Sequence, residues 1–165
     1  MFKKIASATV LLIAASNAFA GEPNTFYAGA DVGKTRVSGG WSGNETSYGA
    51  FAGYNLNQNF ALEAGYRRLG EHKGYNFKDR LDQTSLSAIA SMPVGESFSV
   101  FGRLGVSHLD GKVRFPGGSV SDSTNKALAG VGVSYAFAPN VSGRVEFQKA
   151  GSAVRNLSAG VAYQF

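Results

Sequence analysis

Six ionised residues fall on one parity within segments otherwise made of small or apolar side chains: Asp31, Glu63, Arg67, Arg103, Arg144 and Glu146. Glu63 and Arg67 are four residues apart and Arg144 and Glu146 two apart, and both spacings return a side chain to the same face of a β-strand. Acids and bases are equal in number, so the chemistry this set offers is ion pairing in a confined space. Catalysis needs a nucleophile and a base that converge on one point. Ser107 and His108 are the one adjacent pair of that kind, and neighbouring strand residues point to opposite faces, which separates hydroxyl from imidazole. His72 and His108 carry no metal-ligand spacing, and the chain has no cysteine, so disulfide and thiolate chemistry have no foothold. No catalytic residue, metal site or cofactor is assigned, and the chain is read as a non-enzyme.

The elements that must position these charges alternate with period two. In 141–148 one parity reads Val141, Gly143, Val145, Phe147 and the other Ser142, Arg144, Glu146, Gln148. The segment 157–165 repeats the pattern and stops on Phe165. Such segments are predicted at 26–35, 46–56, 59–69, 83–93, 97–109, 126–137, 140–149 and 156–165. The breaks at 55–59, 93–97 and 137–140 are tight; those at 36–45, 70–82 and 110–125 are long and polar, with a shorter fourth at 149–156. Short turns on one side and long loops on the other is the asymmetry of outer-membrane barrels.

The parity opposite the charges contains Phe26, Val32, Ala52, Leu62, Leu86, Leu104, Val131 and Val133, and none of its members in the strand centres is ionised. Lipid contact requires this, because Lys or Arg at the midplane of a barrel wall costs roughly 2–4 kcal/mol. Phe26, Tyr54, Phe60, Phe98, Tyr135, Phe137, Tyr163 and Phe165 gather beside the tight turns as an interfacial girdle. Glycine, 22 residues in all, keeps strand parity at Gly29 and Gly33 and at Gly49 and Gly53, where it leaves room in a narrow interior. The expected fold is all-β: an eight-stranded antiparallel up-and-down transmembrane β-barrel, closed because an open sheet edge does not survive in hydrocarbon. About eight strands leave a lumen just wide enough for side chains. The six charges are therefore expected to form a neutral plug rather than line an open pore.

Lys3 and Lys4 precede the apolar run 5–15, and Ala18-Phe19-Ala20 offers small residues for cleavage. Residues 1–20 read as a cleaved signal peptide, too short for a spanning helix of ~20 residues. Residues 21–165 read as one barrel domain exported through the periplasm. The chain carries 16 basic and 11 acidic residues, a formal charge of +5. Removal of Lys3 and Lys4 leaves the excess on the loops and outer strand ends. Arg36, Arg68, Lys73, Lys112 and Arg114 are expected to contact the phosphates of lipopolysaccharide. The bases form no continuous patch interleaved with stacking aromatics, which excludes nucleic acid. Nothing on the neutral face marks an oligomer interface, so a monomer is expected. A secreted lipocalin-type barrel is the soluble alternative, but the apolar cup, disulfide and trailing helix of that type are not visible. Ser38-Gly39-Gly40-Trp41-Ser42-Gly43 and 115–119 are flexible, exposed loop sequences that could contact host molecules or phage.

Phe26-Tyr-Ala-Gly-Ala-Asp-Val-Gly33, Gly49-Ala-Phe-Ala-Gly-Tyr54, Leu62-Glu-Ala-Gly-Tyr66, Gly102-Arg-Leu-Gly105 and Gly143-Arg-Val-Glu-Phe-Gln148 resemble, in order, the strands of the transmembrane domain of outer-membrane protein A and its small surface-barrel relatives. The resemblance covers nearly all of 21–165. It implies a Gram-negative outer-membrane surface protein with a structural or adhesin-like role, a small porin-like channel or a lipid-modifying enzyme being the alternatives. It also implies that Tyr163 and Phe165 belong to the signal read by the barrel-assembly machinery. Family members with a periplasmic peptidoglycan-binding domain continue beyond the equivalent of Phe165, so cell-wall anchoring is not carried over. In the family's lumen a central acid and arginine match Glu63 and Arg144, while the lysine and second acid that offer them alternative partners match Ile89 and Ser134. That departure implies a gate locked shut, with Glu63 and Arg144 having little to switch to.

Overall fold

The computed structural model describes residues 22–38, 45–73, 78–115 and 118–165, with the side chains of 71–79 and 112–117 outside the description. Eight strands follow one another: β1 (Thr25–Val37), β2 (Glu45–Asn55), β3 (Phe60–Lys73), β4 (Lys78–Pro93), β5 (Phe98–Phe115), β6 (Gly118–Ala138), β7 (Val141–Ala150) and β8 (Val154–Gln164). Each pairs antiparallel with its neighbour in sequence, and β8 pairs with β1, so the sheet closes into a barrel. The backbone N–H of Phe165 donates to the carbonyl of Phe26 at 2.9 Å and extends that seam to the last residue. The tight turns are local: the Asn57 carboxamide oxygen accepts from the backbone N–H groups of Asn59 and Phe60, both at 2.9 Å, and turns β2 into β3.

Two segments expected as long loops are largely strand. Residues 70–73 and 78–82 continue the β3–β4 hairpin, and 110–115 and 118–125 continue β5–β6, with pairs such as Arg80↔Lys112 and Lys112↔Ser121. Beyond the membrane both faces of a hairpin meet water, so hydrophobic alternation stops while the backbone ladder continues. The loop 149–156 shrinks likewise to three residues, 151–153, with Gly151 taking the left-handed conformation (φ 59°). The expected signal peptide 1–20 and residues 39–44, including Trp41, lie outside the described residues.

The outward parity is apolar around the whole circumference. Val32, Leu86, Leu104 and Val131 are between 59% and 71% exposed on four different strands. Aromatic pairs ring the turn side, Phe26 with Tyr54 and Phe98 with Tyr135 at 4.8 Å between centroids, and Tyr163 with Phe165 at 5.2 Å. A surface this apolar is stable against hydrocarbon and is an aggregation liability in water.

Glycine sets how the interior packs. Gly29 faces Phe51, Gly53 faces Tyr27 and Gly132 faces Phe101 in register across adjacent strands. A Cβ at any of the three would strike the opposing ring, so each glycine is the seat on which an inward aromatic lies. Gly53→Val is expected to dislodge Tyr27 and cost ~1–3 kcal/mol by overpacking, read as a lower urea midpoint of the refolded barrel. Gly102, with nothing within 4 Å of an added Cβ, serves as control: Gly102→Ala should stay within about 1 kcal/mol of wild type.

Candidate functional site

Inward side chains of seven strands converge on one ion cluster, whose charged members come from β1, β3, β5 and β7. Arg103 of β5 lies between two acids, donating from Nε to Glu146 Oε1 at 2.5 Å, from Nη2 to Glu146 Oε2 at 3.1 Å, and from Nη2 to Glu63 Oε1 at 2.7 Å. Its Nη1 reaches Ser87 Oγ at 3.3 Å. Arg144 of β7 approaches Glu63 from the other side, with Nη1 to Oε2 at 2.7 Å and Nη2 to Oε1 at 3.2 Å. The Tyr27 hydroxyl donates to Glu63 Oε2 at 3.0 Å, and the Arg144 guanidinium carbon sits 3.4 Å from the centroid of the Phe51 ring. One step outward, Arg67 grips Asp31 through two bonds of 3.2 and 2.7 Å and donates to Asn156 Oδ1 at 3.0 Å. Arg144 Nη2 links the two groups, 4.0 Å from both Asp31 Oδ2 and Glu146 Oε2.

Glu63 and Glu146 are 2% and 1% exposed. Carboxylates that deep persist only when paired and hydrogen-bonded, and here each oxygen of both has a donor. Bidentate arginine–carboxylate geometry adds direction to the attraction. All six charged residues singled out in the sequence are thus brought together. Tyr27, Asn156 and Ser158 were not singled out, although they share the inward parity, and that parity is the signal by which such members are found.

Apolar layers bound the charges above and below. On the turn side Ala61, Ile89 and Phe101 form a buried cluster with Tyr27 packed against it. A vestibule of about 150 Å³ rises beside them from the turns to Glu63 and Arg144, past Ser99 and Ser134. Toward the outer mouth, Leu69, Leu109, Leu128, Ala150 and Val154 form a buried collar, joined by Val37 and Leu81. Every strand but β2 contributes to it. Leu69 continues the inward parity of Glu63 and Arg67 and is 1% exposed; the register shift between Arg68 and Gly70 leaves it as the extra residue of a bulge, opposite no residue of β4.

The pairing corrects one expectation. Ile89 and Ser134 indeed line the vestibule, yet Glu63 and Arg144 do not lack other partners: Arg103 already holds Glu63, and Asp31 and Glu146 stand at 4.0 Å from Arg144. In so narrow a lumen, residues from non-adjacent strands reach the same axial point, which a position-by-position comparison does not register. Ser107 and His108 diverge: Ser107 is buried with its hydroxyl toward the Lys126 carbonyl at 3.4 Å, and His108 faces outward to Asn125 at 2.7 Å and Asp110 at 3.4 Å. Tyr163 and Phe165 face outward in the girdle. At the rim, Arg36 is exposed on β1, and Arg68 is held by Asp82 Oδ1 at 3.0 Å and Tyr48 Oη at 2.8 Å. The side chains of Lys73, Lys112 and Arg114 lie outside the described residues.

A family model for the OmpA-like transmembrane domain matches residues 21–165. The chain belongs to this family. Outer membrane protein A of Salmonella typhi is 31% identical over 170 residues, covering 86% of this chain and 49% of that protein. Outer membrane protein P5 of Haemophilus influenzae is 33% identical over 180 residues, covering 88% and 50%. The chain spans about half the length of the curated relatives it matches. Among solved structures, the barrel is similar in fold to Neisserial surface protein A, with a TM-score of 0.74, 24% identity, and coverage of 85% of this chain and 97% of that one. The molecule is an OmpA-like barrel of the Gram-negative outer membrane, and its ion cluster occupies the core of that barrel.

Arg103 is the residue the cluster shares most widely. Arg103→Met keeps the volume but strands Glu146, and removing one partner of a buried pair costs about 3–5 kcal/mol. The double variant Arg103→Met/Glu146→Gln is expected to recover part of that loss, since no carboxylate is left without its bidentate partner. Urea unfolding of the refolded variants in micelles checks both; a single variant as stable as wild type contradicts the assignment.

Proposed function

We propose that this OmpA-like barrel is a sealed, non-catalytic surface protein that serves envelope structure and presents its extended outer hairpins for contact. The observation that carries the reading is closure of the lumen at two successive levels, the ion cluster around Arg103 and the apolar collar around Leu69 and Leu128. Water reaching Glu63 from the vestibule meets the ion cluster first and a layer without polar groups beyond it, which opposes ion passage even if a salt bridge fluctuates open.

The hairpins β3–β4 and β5–β6 extend beyond the apolar belt and supply the contact surface for host or phage ligands. The cationic outer rim, to which Arg36, Arg68, Lys73, Lys112 and Arg114 belong, complements the phosphates of lipopolysaccharide. Tyr163 and Phe165, outward-facing on the closing strand, serve as the segment engaged by the assembly machinery. Residues 1–20 direct export and are removed, and the barrel acts as a monomer.

Planar-bilayer recording tests the closure. Wild type is expected to be silent. Glu63→Ala alone should remain nearly silent because the collar still blocks the path, whereas Glu63→Ala combined with Leu69→Ser and Leu128→Ser should conduct. Frequent, well-resolved openings of the wild-type protein would contradict the sealed reading.

A further inference from the structure

Four strands outlast the others above the apolar belt. Register runs from Glu71 to Arg80, Lys112 and Ser121, so β3, β4, β5 and β6 continue upward as one sheet. β2 leaves β3 after Arg68, and β7 leaves β6 beyond Leu128, which gives the emergent sheet two open edges. Native proteins blunt such edges with bulges, charged side chains, proline or short length. The β3 edge is blunted: it is short, starts at the bulged Leu69 and carries Glu71 and Lys73. The β6 edge is not. It reads Ser119-Val-Ser-Asp-Ser-Thr-Asn125, with one ionised residue, no proline and unbroken register against β5.

Two bonds lower in β6 fix the direction of its free backbone groups. Ala136 donates its N–H to the Ser97 carbonyl on the β5 side, and the Ala127 carbonyl accepts from Gly151 on the β7 side, both at 2.9 Å. Even-numbered residues of β6 therefore aim their backbone groups at β5, and odd-numbered residues aim theirs away from it. Ser119, Ser121, Ser123 and Asn125 each turn one N–H and one C=O to the open edge. Among the described residues no backbone group pairs with them. All four are exposed, and their short side chains leave the edge unobstructed.

We propose that β6 from Ser119 to Asn125 is a docking edge, which takes an extended segment of another protein as an added antiparallel strand. This rests on the reading of the outer hairpins as contact surfaces and gives that contact its chemistry: main chain pairs with main chain, and alternate side chains supply specificity. Asp122 and Lys126 share one parity, so the fitting segment carries a base opposite the first and an acid opposite the second, four residues apart. A second copy of the chain does not fit. Two barrels in one membrane are related by an axis along its normal, which sets strands tilted by about 40° across one another rather than alongside.

The test uses the full chain in lipid nanodiscs, with empty nanodiscs as blank, and a labelled nine-residue oligothreonine peptide with glutamate first and arginine fifth. Heat-dependent migration on unboiled gels verifies that each variant is folded. Wild type should bind the peptide, and N-methylation of the peptide's even positions, which oppose Asn125, Ser123, Ser121 and Ser119, should weaken binding about tenfold or more. Ser121→Pro/Ser123→Pro removes two open-edge donors and no bond to β5, as proline does on an edge strand, and should weaken binding about tenfold. Asp122→Lys leaves the backbone unaltered and should shift preference about threefold toward a peptide with glutamate in place of its arginine. Equal binding of the N-methylated peptide would overturn main-chain recognition. A double-proline variant that binds like wild type would overturn the placement on β6, as would binding that persists when the β5–β6 hairpin is cut back to an Asn-Gly turn between His108 and Asn125. A wild type that binds no peptide would overturn the docking edge, and proline-sensitive pairing of two copies in one nanodisc would reassign it to a second copy. The broader contact reading fails separately, if cells displaying a chain with both outer hairpins cut back adhere to host-cell surfaces as wild type does.

Discussion

Arg103 stands near the axis of the barrel between Glu63 and Glu146, and the rest of the molecule is arranged so that it can. Ionised groups are expensive in hydrocarbon and nearly as expensive alone in a protein interior. A chain that carries three acids and three bases on the parity opposite its apolar belt must enclose them and match them within one cross-section. Closing eight strands does the first, and the narrowness of the resulting lumen does the second. The same narrowness demands glycine opposite each large ring, which is why Phe51, Tyr27 and Phe101 each face a glycine across the ladder.

From this enclosure follows the separation of the two faces. The outer wall is free to be uniformly apolar because no charge needs it, and the interior is free to be polar because no lipid reaches it. The layering along the axis then becomes functional: a vestibule on the turn side, the ion cluster, and the leucine collar at the outer mouth. Charge excluded from the wall and not needed in the lumen is left at the rim.

Much of the architecture is legible in residue order, because a barrel wall imposes period two on every strand with hydrocarbon on one side. Parity alone separates Leu104 from Arg103 and Val145 from Glu146. It fails where the solvent changes: 70–73, 78–82 and 118–125 lose their alternation above the membrane although the hydrogen-bond ladder continues, so hydrophobicity does not mark them as strand. The inward charges could be listed, but not their partners. Which carboxylate Arg103 holds depends on the shear of the barrel, and three-way sharing among β3, β5 and β7 has no local signature. The inward face of Leu69 follows from the parity it shares with Glu63 and Arg67, but its place in one collar with Leu109 and Leu128 depends on the same shear.

The central claim is that the neutral parity faces hydrocarbon while the ionised parity is enclosed. Nitroxide labels at Leu104 and Val133, both outward and mid-strand, measure this directly in vesicles through collision with oxygen and with a water-soluble paramagnetic reagent. High oxygen accessibility with exclusion of the aqueous reagent at both sites is the predicted result. Free access of the aqueous reagent at Leu104 and Val133 would contradict it.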